Sequence, residues 1–381
     1  MREPLPFSVL RQFYGTRRVL VTGHTGFKGS WLALWLARMG AEVHGLALAP
    51  DQGPDNLYER AGVASAVRNA EIDLRDAEAV LRHVKEVQPQ VVFHLAARAL
   101  VQQGYEDPLA TFATNTLGTA HVLDAARWVS SVQSVVCVTS DKVYRDRAQR
   151  QAYREDDELG GLDPYSASKA AAELIARCYG HTLRPSERGL GLATARGGNV
   201  IGGGDWSPHR IVPDIVRAIR DRQPLRLRRP EATRPWQHVL DLCHAYLLLG
   251  YRLAVEEQPN EGRRAWNFGP TQDAEMTVAA LVAAFLGRWG EPDYPVEQVA
   301  PPHHETTSLR LDSSSANATL GWQPLLNGTA AIDWTADWYR RYLQDSKRTA
   351  RLVGEQLELF EGMLANQLAA RPRPAQKARA P

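Results

Sequence analysis

The chain has 381 residues and a formal net charge of +2, with 44% hydrophobic and 23% charged residues. This is ordinary globular composition, and the length predicts two domains or one large α/β domain with an appendage. The near-zero charge excludes a bulk electrostatic case for nucleic-acid binding, because the basic character is concentrated in the terminal stretch 371–379.

The cysteines and the apolar runs limit the possible locations of the chain. The three cysteines, Cys137, Cys178 and Cys243, form neither metal-ligand spacing nor a disulfide framework, so we expect buried, reduced thiols and no metal site. No apolar run reaches the roughly 18 residues of a membrane-spanning helix. The basic residues near the start have no long apolar run behind them, so we expect no signal peptide and a cytoplasmic protein.

A glycine-rich turn between a strand and a helix is the first informative motif. An apolar run at 19–22 is followed by Gly-x-x-Gly-x-x-Gly and then by a helical apolar pattern at 30–37. Glycines at this spacing let backbone amides approach a pyrophosphate at the start of a helix. The pattern favours a dinucleotide site over a purely structural turn. The predicted cofactor contacts in this turn are Gly23, Thr25, Gly26, Phe27, Lys28 and Gly29.

The second predicted strand, 41–48, lacks the acidic residue that usually ends it and binds the adenosine ribose. Asp51 is the first carboxylate after it, and no arginine stands there for the extra phosphate of NADP. We therefore favour NAD over NADP as the cofactor.

Three later segments extend the predicted cofactor site. Asp73, at the end of a short strand, can meet the adenine edge or be a simple loop carboxylate. The strand 91–97 ends in small residues that suit close passage of a cofactor. Asn115 is expected to cap a helix that opens at 114–116 and runs through Ala126, or to hold water near the site. The predicted contacts here are Asp73, Leu74, Leu95, Ala96, Ala97 and Asn115.

The β-branched run at 135–139 predicts a strand buried on both faces. It ends in Ser140, Asp141 and Lys142, a hydroxyl, a carboxylate and an amine on consecutive residues. Ligands of open α/β sheets bind beyond the carboxyl ends of the strands. The sequence therefore indicates catalytic groups here, the alternative being a polar turn after a core strand.

A predicted helix after Asp163 and Pro164 carries Tyr165 and Lys169 on one face. A lysine ammonium beside a phenol favours the phenolate, so we expect Lys169 to lower the pKa of Tyr165 and make it a base. Tyr-x-x-x-Lys alone is weak evidence. It gains weight because it follows a dinucleotide fingerprint and a strand that ends in Ser-Asp-Lys.

The glycine-dense loop 197–204 predicts the change to a smaller domain. Helices are expected at 211–219 and 240–253, and short strands at 225–228 and 309–312. We expect a cofactor domain over 1–195, a substrate domain over 196–345 with 236–270 returning to the first, and an extension over 346–381 whose end is disordered.

The run 234–239 combines a planar cation, an indole and an imidazole in Arg234, Trp236 and His238. Arginine forks suit phosphate, and aromatic faces suit a sugar or a base. The alternative is a surface loop with a packed tryptophan.

Together these motifs resemble the extended short-chain dehydrogenase/reductase family, over roughly residues 13–343. The resemblance implies a Rossmann-type doubly wound parallel sheet with a smaller mixed α/β substrate-binding domain. Within the family the chain is most similar to the nucleotide-sugar 4,6-dehydratases that act on CDP-glucose. The stretches that carry the resemblance are 21–32, 139–142, 198–206 and 234–239.

The resemblance also implies roles for particular residues. The catalytic set is Ser140, Asp141, Lys142, Tyr165 and Lys169. The substrate set is Asn199, Arg234, Trp236 and His238. A homodimer or higher homo-oligomer is implied as well. Arg98 and Gln102 depart from the family pattern, since similar proteins tend to have Gln and Arg at these two places. The rival hypotheses are an epimerase or dehydratase acting on a dTDP-, UDP- or GDP-hexose, and a non-enzymatic NAD-binding module.

Overall fold

A computed structural model describes residues 2–51, 53, 55–147, 151–181, 190–256, 265–271, 274–300 and 309–369. The strands are, in chain order, β1 (Arg18–Thr22), β2 (Glu42–Ala47), β3 (Arg68–Glu71), β4 (Val91–His94), β5 (Ser134–Val138), β6 (Gly191–Arg196), β7 (Val200–Ile201), β8 (Leu225–Leu227), β9 (Thr233–Pro235), β10 (Gln237–His238), β11 (Ala265–Asn267), β12 (Glu275–Thr277) and β13 (Val296–Gln298). The helices are α1 (Phe7–Tyr14), α2 (Phe27–Arg38), α3 (Leu57–Arg60), α4 (Val63–Ala66), α5 (Ala77–Val87), α6 (Val101–Glu106), α7 (Pro108–Phe112), α8 (Gly118–Trp128), α9 (Pro164–His181), α10 (Ile211–Asp221), α11 (Val239–Val255), α12 (Val278–Trp289), α13 (Ser314–Leu320), α14 (Gly328–Gln344) and α15 (Thr349–Ala369).

Seven parallel strands form the central sheet in the order β3-β2-β1-β4-β5-β6-β11. The strand order reverses between β1 and β4, which is the topological switch point where such sheets bind ligands beyond their carboxyl ends. The predicted fold class, a Rossmann-type doubly wound α/β fold, is confirmed.

Two apolar cores cover the two faces of this sheet, because successive side chains of a strand point to opposite faces. In β1, Val19 and Val21 belong to one core and Leu20 to the other. The helices α1, α2, α11, α14 and α15 contribute to the first core, and α5, α8 and α9 contribute to the second. A continuous apolar strand pattern is the expected consequence of burial on both faces.

Among the described residues after β6, three short strand pairs form outside the central sheet. β7 pairs with β10, β8 with β13, and β9 with β12. The predicted helices at 211–219 and 240–253 are confirmed as the inner parts of α10 and α11, and the strand at 225–228 is confirmed as β8. The predicted strand at 309–312 is wrong, because only Leu311 makes a single bridge, to Tyr153.

The predicted helix opening at Asn115 is also wrong. The helix begins at Pro108, with the Asp107 carboxylate accepting a hydrogen bond from the Ala110 N–H, and it continues through a π-helical turn, Ala113–Leu117, into α8. Asn115 therefore lies inside a helical segment and caps nothing. An Asp-Pro pair is itself a strong helix-start signal.

The segment after residue 346 forms α15, which packs against the first core. Its buried apolar residues are Leu352, Val353, Leu357, Phe360 and Leu364. The Glu361 carboxylate accepts hydrogen bonds from the Trp35 indole at 3.0 Å and from Arg11 at 2.8 Å, so α15 is tied to α1 and α2. The expected disordered end and the basic stretch 371–379 lie outside the described residues.

Two further observations concern the cysteines and the membrane. Cys137 and Cys243 are buried free thiols, but Cys178 is exposed, so the expectation that all three are buried is wrong for Cys178. It lies on the solvent side of an amphipathic helix. In the described part of the chain, no helix combines the length and apolar character that a bilayer crossing requires.

Candidate active site

Two glycines shape the turn after β1. Gly23 has a left-handed backbone with φ of +75°, and a Cβ atom there would lie 2.6 Å from the backbone nitrogen of Ala96. A Cβ on Gly29 would lie 2.1 Å from the Gly23 carbonyl oxygen. The turn thus packs directly on the exit of β4. Gly26, the N-cap of α2, has no side chain that could cap the helix. The first N–H groups of α2 and the positive end of the helix dipole are therefore suited to bind a pyrophosphate.

The exit of β4 is fixed by β1. The Leu95 N–H donates to the Thr22 carbonyl at 3.1 Å, and the Ala96 N–H donates to the Thr22 hydroxyl at 3.2 Å. Ala97 is half-buried next to them. Small side chains here leave the carboxyl edge of the sheet open beside the glycine turn.

Thr25 and Phe27 face different neighbours from the same turn. The Thr25 hydroxyl donates to the Leu48 carbonyl at 3.1 Å, which ties the turn to the end of β2. The Phe27 ring lies against Gly202, where a Cβ would be 3.2 Å from its Cζ atom. Phe27 therefore joins the glycine turn to the glycine-dense loop.

Lys28, predicted as a cofactor contact, carries its cation close to Asp141, which follows β5. Desolvation, followed by repulsion from Arg210, lowers the pKa of Lys28 to about 8, while Asp141 and Asp205 oppose the shift. Its charge therefore interacts with Asp141, which follows β5, and with Asp205, which follows the glycine-dense loop. The sequence grouped Lys28 with the glycine turn and did not indicate this second environment.

The two residues predicted at the adenine end are engaged within the protein. Arg75 donates to the Asp73 carboxylate at 2.9 Å and holds the pKa of that carboxyl below its usual range. Leu74 is buried against Gly118, and its carbonyl oxygen lies 2.7 Å from His121 Nδ1. The Asp73 carboxylate is thus paired with Arg75 in this structure.

Asn115 is a buried link between two elements of the site. Its side-chain oxygen accepts from the Arg98 N–H at 2.8 Å, and its amide donates to the Arg98 carbonyl at 3.1 Å. The same amide donates to the Ser168 hydroxyl at 2.9 Å. Asn115 therefore holds the segment after β4 against α9, the helix of Tyr165 and Lys169.

The chain beyond β5 places Ser140, Asp141 and Lys142 at the carboxyl edge of the sheet. Asp141 opens a 3₁₀ turn, Asp141–Val143. The Ser140 hydroxyl accepts from the Lys142 N–H at 3.2 Å and donates to the Asp141 carboxylate at 3.1 Å. Ser140 and Asp141 are buried, and Lys142 is half-buried. We call Ser140 to Val143 the catalytic turn below.

Gly198 and Asn199 enclose the Asp141 carboxylate from the other side. A Cβ on Gly198 would lie 2.0 Å from Asp141 Oδ2, so a larger residue cannot stand there without moving the carboxylate. The Asn199 amide donates to the same oxygen at 3.2 Å from a left-handed backbone with φ of +50°. Sequence reasoning missed this role of Gly198, and its one signal was the density of glycine in the loop.

Tyr165 and Lys169 lie at the start of α9, where the Asp163 carboxylate caps the helix by accepting from the Ser166 N–H at 3.0 Å. Both side chains are buried. The Lys169 ammonium donates to the Val138 carbonyl at 3.1 Å, just before the catalytic turn. The Ser140 hydroxyl lies close enough to the phenol of Tyr165 to act on the phenol's pKa. The structure therefore brings together all five residues of the predicted catalytic set.

The expected lowering of the Tyr165 pKa by Lys169 is not found. Burial raises the pKa of Tyr165, and the nearby Ser140 hydroxyl opposes the rise. Burial, followed by repulsion from Lys28, lowers the pKa of Lys169 to about 8. The physical reason is that Lys169 directs its ammonium to a backbone carbonyl, so desolvation dominates at the phenol.

A cleft of about 910 Å³, part of it open to solvent, leads away from Asn199. Its lining includes Arg234 and Trp236, together with two carboxylates, Asp205 and Asp214. Its arginines are Arg210, Arg226, Arg228, Arg229 and Arg234. An excess of guanidinium groups suits a doubly charged phosphate ligand. No cluster of His, Cys, Asp or Glu in the described residues could hold a metal ion.

His238, predicted as a substrate contact, lies elsewhere. It is fully buried, its Nδ1 accepts from the Leu240 N–H at 3.3 Å as the N-cap of α11, and its ring packs edge-on against Trp334. It does not line the cleft. Burial lowers the pKa of His238 to about 3, so the ring is neutral and its observed contacts are structural.

Arg98 and Gln102 lie on the segment after β4. Arg98 Nη2 is 3.5 Å from the Gln103 carbonyl, and its Nε is buried without a hydrogen-bond partner. Gln102 donates to Glu106 at the surface over 3.2 Å. Of the two departures from the family pattern, only Arg98 carries an unsatisfied donor near the site.

The comparisons with known proteins identify the family of the chain. The sequence profile of the family described as GDP-mannose 4,6 dehydratase matches residues 20–333. The chain belongs to this family. A CDP-glucose 4,6-dehydratase of Salmonella typhimurium is 40% identical over 88% of this chain and 93% of its own length. The expected resemblance to nucleotide-sugar 4,6-dehydratases is therefore confirmed.

Two solved structures of relatives share the fold. A dTDP-glucose 4,6-dehydratase of Streptomyces venezuelae, crystallised with NAD, is 27% identical over 85% of this chain and 97% of its own, with a TM-score of 0.73. A UDP-glucose 4-epimerase of Thermus thermophilus in complex with NAD is 27% identical over 85% of this chain and 99% of its own, with a TM-score of 0.73. The family thus includes relatives with both chemistries on one fold.

Proposed function

We propose that the chain is an NAD-dependent hydro-lyase that converts CDP-D-glucose to CDP-4-keto-6-deoxy-D-glucose with loss of water. The relative that is 40% identical over 88% of the chain supports both the reaction and the CDP-linked substrate. The observation that carries the proposal is the turn in which Asp141 and Lys142 stand beside Ser140, whose hydroxyl lies close to the phenol of Tyr165.

NAD, when bound, would supply a reversible hydride acceptor for C4 of the sugar and the hydride for C6. The residues present fit this cofactor, because Gly23 and Gly29 allow the close turn and α2 presents uncapped N–H groups. NAD in the two solved relatives at 27% identity supports the same choice. The proposed contacts of the turn include Thr25, Phe27 and Lys28.

Tyr165 takes the proton of the 4-hydroxyl group, and Ser140 hydrogen-bonds the same sugar oxygen. Lys169, in its protonated form, donates a hydrogen bond to the carbonyl that precedes the catalytic turn and so holds the helix of Tyr165 beside the turn. The resulting 4-ketone acidifies the proton on C5, which is why oxidation comes first.

Lys142 and Asp141 then act on neighbouring carbons. The amine of Lys142 removes the C5 proton, and the Asp141 carboxyl group protonates the departing 6-hydroxyl, which leaves as water. The Asn199 amide and the Ser140 hydroxyl hold the carboxyl group in place from two sides. An acid and a base that are adjacent in sequence suit an elimination across adjacent carbons.

The arginine-lined cleft is the proposed seat of the nucleotide diphosphate. Arg234 is buried at its wall, Asn199 stands where the cleft meets Asp141, and Trp236 offers an aromatic face. The sugar would then extend from the cleft to the catalytic turn. His238 acts in this arrangement only by capping α11.

An epimerase would use Tyr165 and Lys169 but needs neither Asp141 nor Lys142, so the buried acid beside the half-buried amine favours the dehydratase. A non-enzymatic NAD-binding module is not favoured, because the full catalytic set is present. The test is incubation with NAD and CDP-, dTDP-, UDP- or GDP-linked glucose, followed by mass spectrometry. We expect a product lighter by one water, formed fastest from the CDP sugar. A product of unchanged mass and inverted stereochemistry would contradict the proposal.

A homodimer is also proposed, through the helices around Asn115 and Tyr165. Leu109, Leu117 and Leu174 are 82%, 56% and 57% exposed on these helices, an apolar surface that a second copy could cover. Sedimentation equilibrium tests this, and a monomer at all concentrations would contradict it.

The remaining proposals concern organisation and context. We propose a cofactor domain over 1–195 and a substrate domain over 196–345, with 236–270 returning to the first. We also propose that the enzyme acts in the cytoplasm and supplies a nucleotide sugar for surface polysaccharide, the second point being what the resemblance implies. Cell fractionation with an antibody to the chain tests the location, and recovery in the membrane fraction would contradict it.

A further inference from the structure

Behind the catalytic turn lies a buried ion pair that the proposed chemistry does not use. Arg196, the last residue of β6, donates from Nε to one oxygen of Glu173 at 3.0 Å and from Nη2 to the other at 2.8 Å. The two side chains are 4% and 3% exposed. A buried pair of this kind is stable only when its remaining groups are also hydrogen-bonded, so its partners show what it holds.

Two threonines also donate hydrogen bonds to the Glu173 carboxylate. The Thr139 hydroxyl donates to one Glu173 oxygen at 2.5 Å, and the Thr194 hydroxyl donates to the other at 2.7 Å. Thr139 directly precedes the catalytic turn, whereas Thr194 lies within β6. The same carboxylate therefore binds one residue that adjoins the catalytic groups and one that does not.

The Arg196 guanidinium also donates a hydrogen bond to a tyrosine. Arg196 Nη1 donates to the Tyr144 hydroxyl at 2.8 Å, and that hydroxyl donates to Asn267 at 2.6 Å. Tyr144 directly follows the catalytic turn, and its ring stacks on Tyr153 with a centroid distance of 4.7 Å and an interplanar angle of 8°. The two residues that flank the turn are therefore both bound to one ion pair.

The third connection is along α9. Glu173 lies four residues after Lys169 and eight after Tyr165 on this helix, so the carboxylate moves with the proposed base. The ion pair thus joins the two halves of the site, the catalytic turn and the helix of Tyr165, which approach each other from separate elements.

We infer that the Glu173–Arg196 pair positions the catalytic turn against α9, so that Lys142 and Asp141 face the sugar bound at Tyr165. This inference rests on the proposed function. A displacement of about 1 Å in a reacting group lowers a rate by about 100-fold, so a rigid buried link between the two halves is a kinetic requirement. Glu173 and Arg196 act on the reaction through the residues that they position, Thr139 and Tyr144 at the two ends of the turn.

The first test compares Thr139→Val with Thr194→Val. Each variant removes one buried hydroxyl donor from the same carboxylate, so the two should lose similar thermal stability. Thr139→Val should lower kcat by about 10- to 100-fold, with the KM for CDP-glucose little changed, because only this variant frees the end of the catalytic turn. Thr194→Val should keep a kcat close to that of the parent enzyme.

The second test compares Tyr144→Phe with Tyr153→Phe. Both variants keep the stacked rings, but only the first removes the hydroxyl that binds Arg196, since the Tyr153 hydroxyl binds the backbone of Arg145 and Arg147. Tyr144→Phe should slow turnover and raise the kinetic isotope effect of CDP-glucose deuterated at C5, because a misplaced Lys142 makes that proton transfer limiting. Tyr153→Phe should leave the isotope effect unchanged.

The outcomes separate the inference from the proposed function. Equal losses of kcat in the two threonine variants, or an unchanged isotope effect in Tyr144→Phe, would overturn the positioning role. A parent enzyme that releases no dehydrated product from any nucleotide-linked glucose would instead overturn the proposed function.

Discussion

The Asn199 amide and the Asp141 carboxylate meet at 3.2 Å, across the gap between the glycine-dense loop and the catalytic turn. Asn199 also lines the arginine-rich cleft. One residue therefore contacts both the proposed acid and the proposed diphosphate seat. The contact depends on the neighbouring glycine, because Gly198 leaves the space that the carboxylate fills.

Gly198→Ala should therefore remove most of the activity. The added Cβ would stand 2.0 Å from Asp141 Oδ2 and would displace the carboxylate, so we expect kcat to fall by about 100-fold or more. The matched control is Gly287→Ala in α12, where a Cβ meets nothing within 4 Å. That variant should keep full activity and gain about 0.5–1 kcal/mol in unfolding free energy. Steady-state kinetics and denaturation measure both, and a fully active Gly198→Ala enzyme would contradict the assignment.

Arg234→Gln should raise the KM for CDP-glucose by about tenfold or more and lower kcat less, because Arg234 is proposed to bind the diphosphate rather than the reacting carbons. Arg340→Gln, which removes a guanidinium from the exposed face of α14, is the control and should change neither constant. An unchanged KM in the Arg234 variant would remove it from the substrate site.

Lys28→Met should shift the pH profile. The Lys28 ammonium lowers the pKa of Lys169 towards its value of about 8, so its removal raises that pKa. Activity requires Lys169 to be protonated, and the alkaline limb of kcat/KM, measured at saturating NAD, should therefore move to higher pH. Lys28→Arg keeps the charge and should leave the limb in place. A limb that moves to lower pH in Lys28→Met would contradict this coupling.

Asp241 predicts a pH-dependent stability. Burial raises its pKa from 3.8 to about 7, although the Leu325 and Leu326 N–H groups donate to the carboxylate. The folded state thus favours the protonated form of Asp241. This preference contributes to the stability of the fold in full below pH 4, and the contribution is lost as the pH rises through 7. The difference in unfolding free energy between Asp241→Asn and the parent should therefore shift in favour of the variant as the pH rises from 5 to 8. Urea unfolding at both values tests this, and a constant difference would disagree.

Much of the fold and the site could be predicted because the signals are local. The glycine turn, the strand that ends in Ser140 and the helix of Tyr165 each combine an apolar period with a recognisable start or end within about a dozen residues. The parallel order of strands then brings their carboxyl ends to one edge. The start of α7 carried an equally local signal, Asp107 followed by Pro108, which the prediction of a helix opening at Asn115 overlooked.

The rest depends on contacts between distant segments. Nothing near Gly198 in sequence shows that the carboxylate of Asp141, 57 residues earlier, fills the space that a side chain at position 198 would need. The pairing of Glu173 with Arg196, and the burial of His238 against Trp334, likewise exist only after folding. The same holds for the Tyr165 pKa, because desolvation by the whole fold outweighs the nearby lysine.

The most direct test of the central claim is the turnover of CDP-glucose by Asp141→Asn and Lys142→Ala, with NAD present and the product measured by mass spectrometry. If these two side chains are the acid and the base of the elimination, each variant should form the dehydrated sugar about 100-fold or more slowly than the parent enzyme, which is the usual contribution of one such group. Full dehydratase turnover in both variants would contradict the account.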